Sequence, residues 1–158
     1  MSGYIPRHLF VVAALALPGI ATADGGSFEH VHCFIGTAHQ TIEHSDANFS
    51  TVATLNGTVR SMAPGEIFDG MASQCTLLLG QTQGNVHARG SCEWTDLDGD
   101  RLFFEYERAN AAGRFKSIAG TGKYQTVSME GTYEALRAPQ TPGVLRGCAR
   151  NTGRWDRR

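Results

Sequence analysis

The sequence predicts an all-β protein, an antiparallel up-and-down β-barrel of about eight strands stapled by disulfides. Three observations carry that expectation. From Gln74 to Tyr133, short segments alternate apolar and polar residues between glycine-bearing turns, so each segment has one apolar and one wet face. No helical periodicity extends over three turns anywhere past residue 23. Four cysteines fall where a meander would join neighbouring strands, and its first strand to its last. A sheet with a single apolar face must close or fold over to bury that face and protect its edges, and meander connections favour closure.

The N-terminus reads as a cleaved signal peptide over residues 1–23, leaving 24–158 as a single barrel domain. Arg7 and His8 precede the apolar run Leu9 to Leu17, and Pro18-Gly19 leads to Ala21-Thr22-Ala23, an A-x-A cleavage pattern. The run is about half the ~20 residues a membrane-spanning helix needs, so no stable membrane insertion is expected after cleavage. Export implies a secreted or periplasmic location. Loss of Arg7 leaves thirteen basic against fifteen acidic side chains, a balance that gives no electrostatic case for nucleic acid. Arg146, Arg150, Arg154, Arg157 and Arg158 crowd the C-terminus and read as a solvated tail.

Ser27 to Ile35 is the first strand, with Phe28, His30, His32 and Phe34 on one face. Gly36 to Asn48 is polar and reads as an irregular loop. Four histidines, at 30, 32, 39 and 44, invite a metal reading, but no carboxylate or third histidine stands at a fixed spacing to the His30-x-His32 pair. A hydrated, histidine-rich edge and loop accounts for them, and no metal site is expected. Phe49 to Ser61 is a strand or a bulged pair with a turn at Asn56-Gly57; Met62 to Gly65 is a loop, and Glu66 to Met71 a short strand.

Turn length then sets register. A two-residue turn at Gln83-Gly84 opposes Cys75 with Cys92, Leu77 with Gly90 and Leu79 with Ala88. Opposed residues in a non-hydrogen-bonded pair lie ~4.5 Å apart at Cα, within disulfide range, so Cys75–Cys92 is predicted and Cys33–Cys148 follows by elimination. At the next turn, a two-residue loop at Asp98-Gly99 would mix apolar and charged residues on one face. A three-residue loop, Leu97-Asp98-Gly99, instead opposes Trp94 with Leu102, Cys92 with Phe104 and Gly90 with Tyr106, and sets Arg89 against Glu107 on the other face. Gly99 then takes the left-handed position of a type I turn with a bulge. The alternating Asp96, Asp98 and Asp100 approach an EF-hand spacing, but Arg101 stands where that loop needs glycine, and Glu107 lies in a strand.

A four-residue loop over Asn110 to Gly113 would oppose Glu107 with Lys116, Tyr106 with Ser117 and Phe104 with Ala119. After the Gly120 to Lys123 turn, Val127, Met129, Gly131 and Tyr133 continue the apolar face; Pro139 to Gly143 is a loop and Val144 to Trp155 the last strand.

The stretch Gly113 to Tyr124, ending in Ala119-Gly120-Thr121-Gly122-Lys123-Tyr124, together with Gly131-Thr132-Tyr133, resembles the G-G-T-G-x-[FY]…G signature of allene-oxide-cyclase-like and dirigent-like β-barrels. Trp94 to Asp100, Gly147-Cys148 and Thr152-Gly153 resemble segments of uncharacterised secreted bacterial members of that group. Ala119 replaces the group's first glycine, and Gln125-Thr126-Val127 lacks a glycine often found after the aromatic residue. The resemblance implies a barrel and matches no catalytic residue of the plant enzymes.

A barrel of this size is either filled by side chains or holds one small ligand. The residues expected to face such a ligand are Trp94, Phe104, Tyr106, Phe115, Ser117, Met129 and Tyr133, with small neighbours leaving room among them. Binding of a small apolar molecule in the interior, without a cofactor, is the expected function. A cofactor-free cyclase or isomerase, drawing on Tyr106, Ser117, Arg108 and Tyr133, is the alternative, and a structural or surface-interaction role the third. No nucleophile elbow, phosphate loop or zinc motif is present in the sequence.

Overall fold

The computed structural model describes residues 24–63, 65–136 and 144–158. Eight strands, β1 (Gly25–Ser45), β2 (Asn48–Ser61), β3 (Ala72–Thr82), β4 (Asn85–Thr95), β5 (Arg101–Ala109), β6 (Ala112–Gly120), β7 (Val127–Leu136) and β8 (Leu145–Arg157), form a closed antiparallel barrel in sequence order. One 3₁₀ turn, Gly122–Tyr124, lies between β6 and β7. The stretch 1–23 and the 139–143 loop lie outside the described residues, which contain no helix long and apolar enough to cross a membrane.

Closure is made by β1 against β8, where Cys33 lies opposite Cys148, and that pair is a disulfide with Cα atoms 4.0 Å apart. Cys75 and Cys92 are likewise opposed and bonded, with Cα atoms 4.1 Å apart. The two bridges sit on different sides of the wall. Cys75 and Cys92 are buried inside, whereas Cys33 and Cys148 are out of phase with the inward row of Phe28, His30 and His32 and half-buried. Two disulfides fit an oxidising compartment.

The registers derived from the β3–β4 and β4–β5 turns hold: Leu79 pairs with Ala88, Trp94 with Leu102, Cys92 with Phe104, and Arg89 with Glu107. Gly99 has φ of 86°. The amide of Asp96 donates to the Asp100 carbonyl at 3.0 Å, closing the three-residue loop. The Asp96 carboxylate accepts the amides of Asp98 and Asp100, and Lys123 bridges Asp96 and Asp98 at 2.7 and 2.8 Å. The acidic turn is thus internally bonded and neutralised by a lysine from the glycine-rich turn.

Several expectations are corrected. β1 continues to Ser45 where a loop was expected, because its second half pairs with β2 beyond the point where β8 ends. Both faces of that extension meet solvent, so it needs no apolar alternation; side-chain bonds such as Thr41–Thr51 at 2.8 Å and His39–Thr54 at 2.7 Å tie it together. β2 is one strand: Asn56-Gly57 makes no turn, since Gly57 pairs with Phe34 on one side and Ser73 on the other. Glu66 to Met71 is a set of turns that tucks Phe68 and Met71, both without solvent exposure, into the barrel end.

The β5–β6 connection has two residues, Asn110-Ala111, rather than four. Glu107 therefore opposes Arg114, Tyr106 opposes Phe115 and Phe104 opposes Ser117. Asn110 takes the left-handed φ of 56°, which asparagine tolerates better than most residues. Ile118 forms a bulge, so the register shifts by one and Phe103 meets Ala119. Arg146, Arg150, Arg154 and Arg157 lie along β8 rather than in a tail. Arg150 pairs with Glu29 at 3.6 Å, Arg157 pairs with Asp24, and Arg154 lies opposite Glu130.

The core is unevenly distributed. Trp94, Tyr124, Phe68, Met71, Leu102, Met129, His30 and Val59 are the large side chains most completely buried, and all lie toward the end carrying the β2–β3, β4–β5 and β6–β7 connections. Their rings meet edge-on, as at Trp94–Phe104 (4.6 Å) and Phe28–Phe68 (5.3 Å), a favoured aromatic geometry. Tyr124 donates its hydroxyl to the Ile67 carbonyl at 3.2 Å, tying two of the connections together. This end is plugged.

Candidate ligand cavity

The opposite half of the barrel is hollow. A cavity of about 280 Å³ lies within the wall, floored by Trp94 and Phe104 and extending past Leu79, Ala88, Arg108, Tyr133 and Leu145, residues at the strand ends away from the plug. Two wider concavities, of about 1180 and 700 Å³, follow the outer wall, where Arg89, Glu107 and Arg114 put charged side chains into solvent. They run along the exposed, ion-paired face, so the interior hollow is the candidate site.

The hollow exists because small residues alternate with aromatic ones on the inner face. Tyr106 lies opposite Gly90 on β4, and its hydroxyl donates to the Thr76 carbonyl on β3 at 2.9 Å. A Cβ on Gly90 would stand 1.9 Å from the Thr76 oxygen and 2.8 Å from the Tyr106 oxygen, so only glycine leaves that path open. The Tyr133 ring packs edge-on against Tyr106, with centroids 6.2 Å apart. Burial pushes the Tyr106 phenol well above its ordinary pKa, and burial pushes Tyr133 up to about 12 despite the opposing effect of Arg108. Both stay protonated at physiological pH.

On the β1 side, His32 lines the cavity and its Nε2 lies 2.6 Å from the Ser73 hydroxyl. His30, one turn of the pleat deeper, stacks on Phe28 (5.1 Å) and meets Trp94 edge-on (4.9 Å); neither of its ring nitrogens has a hydrogen-bond partner. Desolvation lowers His30 to about 3, with a smaller contribution from His32, and lowers His32 to about 4, so both are neutral imidazoles. The expectation of a hydrated histidine edge is corrected for this pair: the inward alternation of β1 buries both rings. Among the described residues, no group of three or more His, Cys, Asp or Glu is arranged to hold a metal ion.

Of the residues expected to face a ligand, Trp94, Phe104, Tyr106, Phe115 and Tyr133 line the hollow. Met129 and Ser117 do not. Met129 is fully buried in the plug, and the Ser117 hydroxyl accepts the Met129 amide at 2.7 Å, where the β6–β7 ladder stops beyond Lys116 and Glu130. The lining adds His32, Asn151 and Arg146, which carry no local motif, and Arg108, whose place on the inward row of β5 its parity with Phe104 and Tyr106 already marked.

Solved structures of other proteins share this barrel. The pterocarpan synthase dirigent protein GePTS1 aligns with a TM-score of 0.54 at 9% identity, covering 93% of this chain and 100% of that one. The pterocarpan synthase dirigent protein PsPTS1 aligns with a TM-score of 0.54 at 9% identity, covering 86% and 97%. No protein-family model matches the chain, and no curated protein matches it in sequence. The chain has the eight-stranded barrel fold of dirigent proteins. At this identity the likeness speaks to fold alone.

Proposed function

We propose that this barrel binds a small, largely apolar molecule in its interior. The carrying observation is the 280 Å³ hollow behind a plugged end, with leucine and aromatic side chains over most of its wall and a few polar groups among them. That size is at the low margin of the ~300–1,000 Å³ typical of small-molecule sites, so the occupant is compact. The dirigent-type barrels it resembles include two named as pterocarpan synthases, a precedent for this fold handling small organic molecules.

The test is a calorimetric titration with a panel of compact ring compounds, repeated on Ala88→Leu. Ala88 lines the hollow, and its enlarged side chain would occupy that space. Binding lost in this variant with the melting temperature retained supports the reading; binding unaffected by it places the ligand elsewhere.

A second reading, a cofactor-free cyclase or isomerase on an apolar substrate, draws on Arg108 and the phenols of Tyr106 and Tyr133 around the same hollow. Polar groups preorganised in a dry cavity are what such chemistry requires. Turnover of a bound compound would establish it. We further propose that the protein is exported and cleaved after Ala23, as in the secreted bacterial barrels whose turns it resembles. The two disulfides support this, and N-terminal sequencing of protein recovered from expressing cells tests it.

A further inference from the structure

We infer that the occupant of the cavity carries one negative charge, held by Arg108, and is a compact organic monoanion such as an aromatic carboxylate. This rests on the reading of the hollow as a binding site. Arg108 belongs to the inward row of β5, after Leu102, Phe104 and Tyr106, so register alone points it inside. Its cross-strand neighbours are Ala88 on β4 and Gly113 on β6, neither of which offers a counter-charge. Its Nε is buried without a hydrogen-bond partner.

The surroundings leave the charge uncompensated. Among the described residues, no aspartate or glutamate lines the hollow. Glu107 and Glu134 lie on neighbouring stretches of β5 and β7 but alternate to the outer face. Tyr106 and Tyr133 stay neutral and serve as donors rather than counter-ions. Arg146 also lines the hollow and has an interaction of its own, whereas Arg108 is the lining guanidinium whose Nε is buried without a hydrogen-bond partner.

A lysine in this position could shed its proton; a guanidinium cannot, so the half-buried charge persists until an anion meets it. The planar fork of arginine matches a carboxylate in two parallel hydrogen bonds. The rings of Phe104, Phe115 and Trp94 supply an aromatic wall for the body of the molecule. A molecule with an aromatic body and a carboxylate head satisfies both halves of the site.

The experiment compares three ligands with one ring system and different heads: 2-naphthoate, 2-naphthalenemethanol and 2-naphthylmethylammonium, titrated by calorimetry at neutral pH. We expect naphthoate to bind tightest and the ammonium weakest. Arg108→Met should weaken naphthoate by roughly ten- to a hundredfold, the loss of a charge-assisted pair, while leaving the alcohol unchanged. The variant should melt no lower than the parent, since it removes an unpaired charge; Arg108→Gln serves the same comparison if the methionine variant does not fold. Alcohol binding as tight as naphthoate, or naphthoate binding indifferent to the substitution, overturns the charge assignment and leaves the apolar pocket standing. If none of the three binds, the pocket reading falls with it.

Discussion

The hydroxyl of Tyr106 on β5 reaches over Gly90 of β4 and donates to the carbonyl of Thr76 on β3, 2.9 Å away. One side chain thus links three strands and forms part of the cavity wall. Thr76 adds a second repair: its Oγ1 accepts the Ser91 amide at 3.3 Å, beside the Cys75–Cys92 bridge.

Tyr106→Phe removes only the bond, on a carbonyl of the exposed Thr76, so we expect a loss of about 0.5–1.5 kcal/mol by denaturant unfolding. Gly90→Ala forces a Cβ to within 1.9 Å of the Thr76 oxygen, against the backbone. It should cost more than Tyr106→Phe, and the comparison of the two midpoints checks the geometry.

Acid should unfold the barrel through its histidines. His30 and His32 are lowered to about 3 and about 4, against 6.5 for an unfolded chain. Stability from this source is fully present above pH 6.5. It declines as pH falls, because the unfolded chain takes up protons that the folded one refuses. Each group contributes a slope of about 1.4 kcal/mol per pH unit until its folded pKa is reached. His30→Phe should be near neutral at pH 7, since it keeps the stack on Phe28 and removes two unpartnered nitrogens, and should reduce the slope between pH 6 and 4.5 by one proton.

The two disulfides should differ in both contribution and reactivity. Cys33–Cys148 closes a separation of 115 residues and Cys75–Cys92 one of 17. Loop-closure entropy then gives roughly 5 kcal/mol for the first and roughly 3 for the second. The inner bridge is only 2% and 6% exposed at its two cysteines, while the outer one is half-buried, so limited reductant should open Cys33–Cys148 first. Alkylation followed by peptide mapping reads the order.

Calcium should leave the melting temperature unchanged. The Lys123 ammonium occupies the acidic turn, within 2.8 Å of Asp96 and Asp98. Hydrogen bonding to Lys123 and to the Asp98 and Asp100 amides holds the Asp96 carboxyl below its ordinary pKa, against the opposing effect of desolvation. Asp96→Ala, which strips the turn of its internal acceptor, should cost about 1–2 kcal/mol, by analogy with the loss of a helix cap.

Around β3, β4 and β5, local rules were enough. A one-residue slip flips every side chain, so the inward row of Trp94, Phe104 and Tyr106 follows from alternation, and the facing of Cys75 and Cys92 follows from a two-residue turn. The same rule shows why alternation leaves the length of the β5–β6 loop open. A two-residue slip returns each side chain to its own face, so the pattern is indifferent between Tyr106 facing Ser117 and Tyr106 facing Phe115. Only the left-handed turn at Asn110 and the bulge at Ile118 decide, and neither leaves a periodic trace.

The β1 extension and the plug were hidden for a different reason. Thr37 to Ser45 is a strand because β2 pairs with it, without an apolar face to announce it. Phe68 and Met71 are core because a chain of turns delivers them into the end of a barrel built by residues remote in sequence. The cavity is the furthest from local chemistry. That Phe104, Tyr106 and Phe115 face inward is written in the alternation, but whether the interior is filled or hollow depends on the summed volume of side chains from the whole ring of strands. The plug takes the large ones to one end, and Ala88 and Ala149 leave the other end open around Arg108.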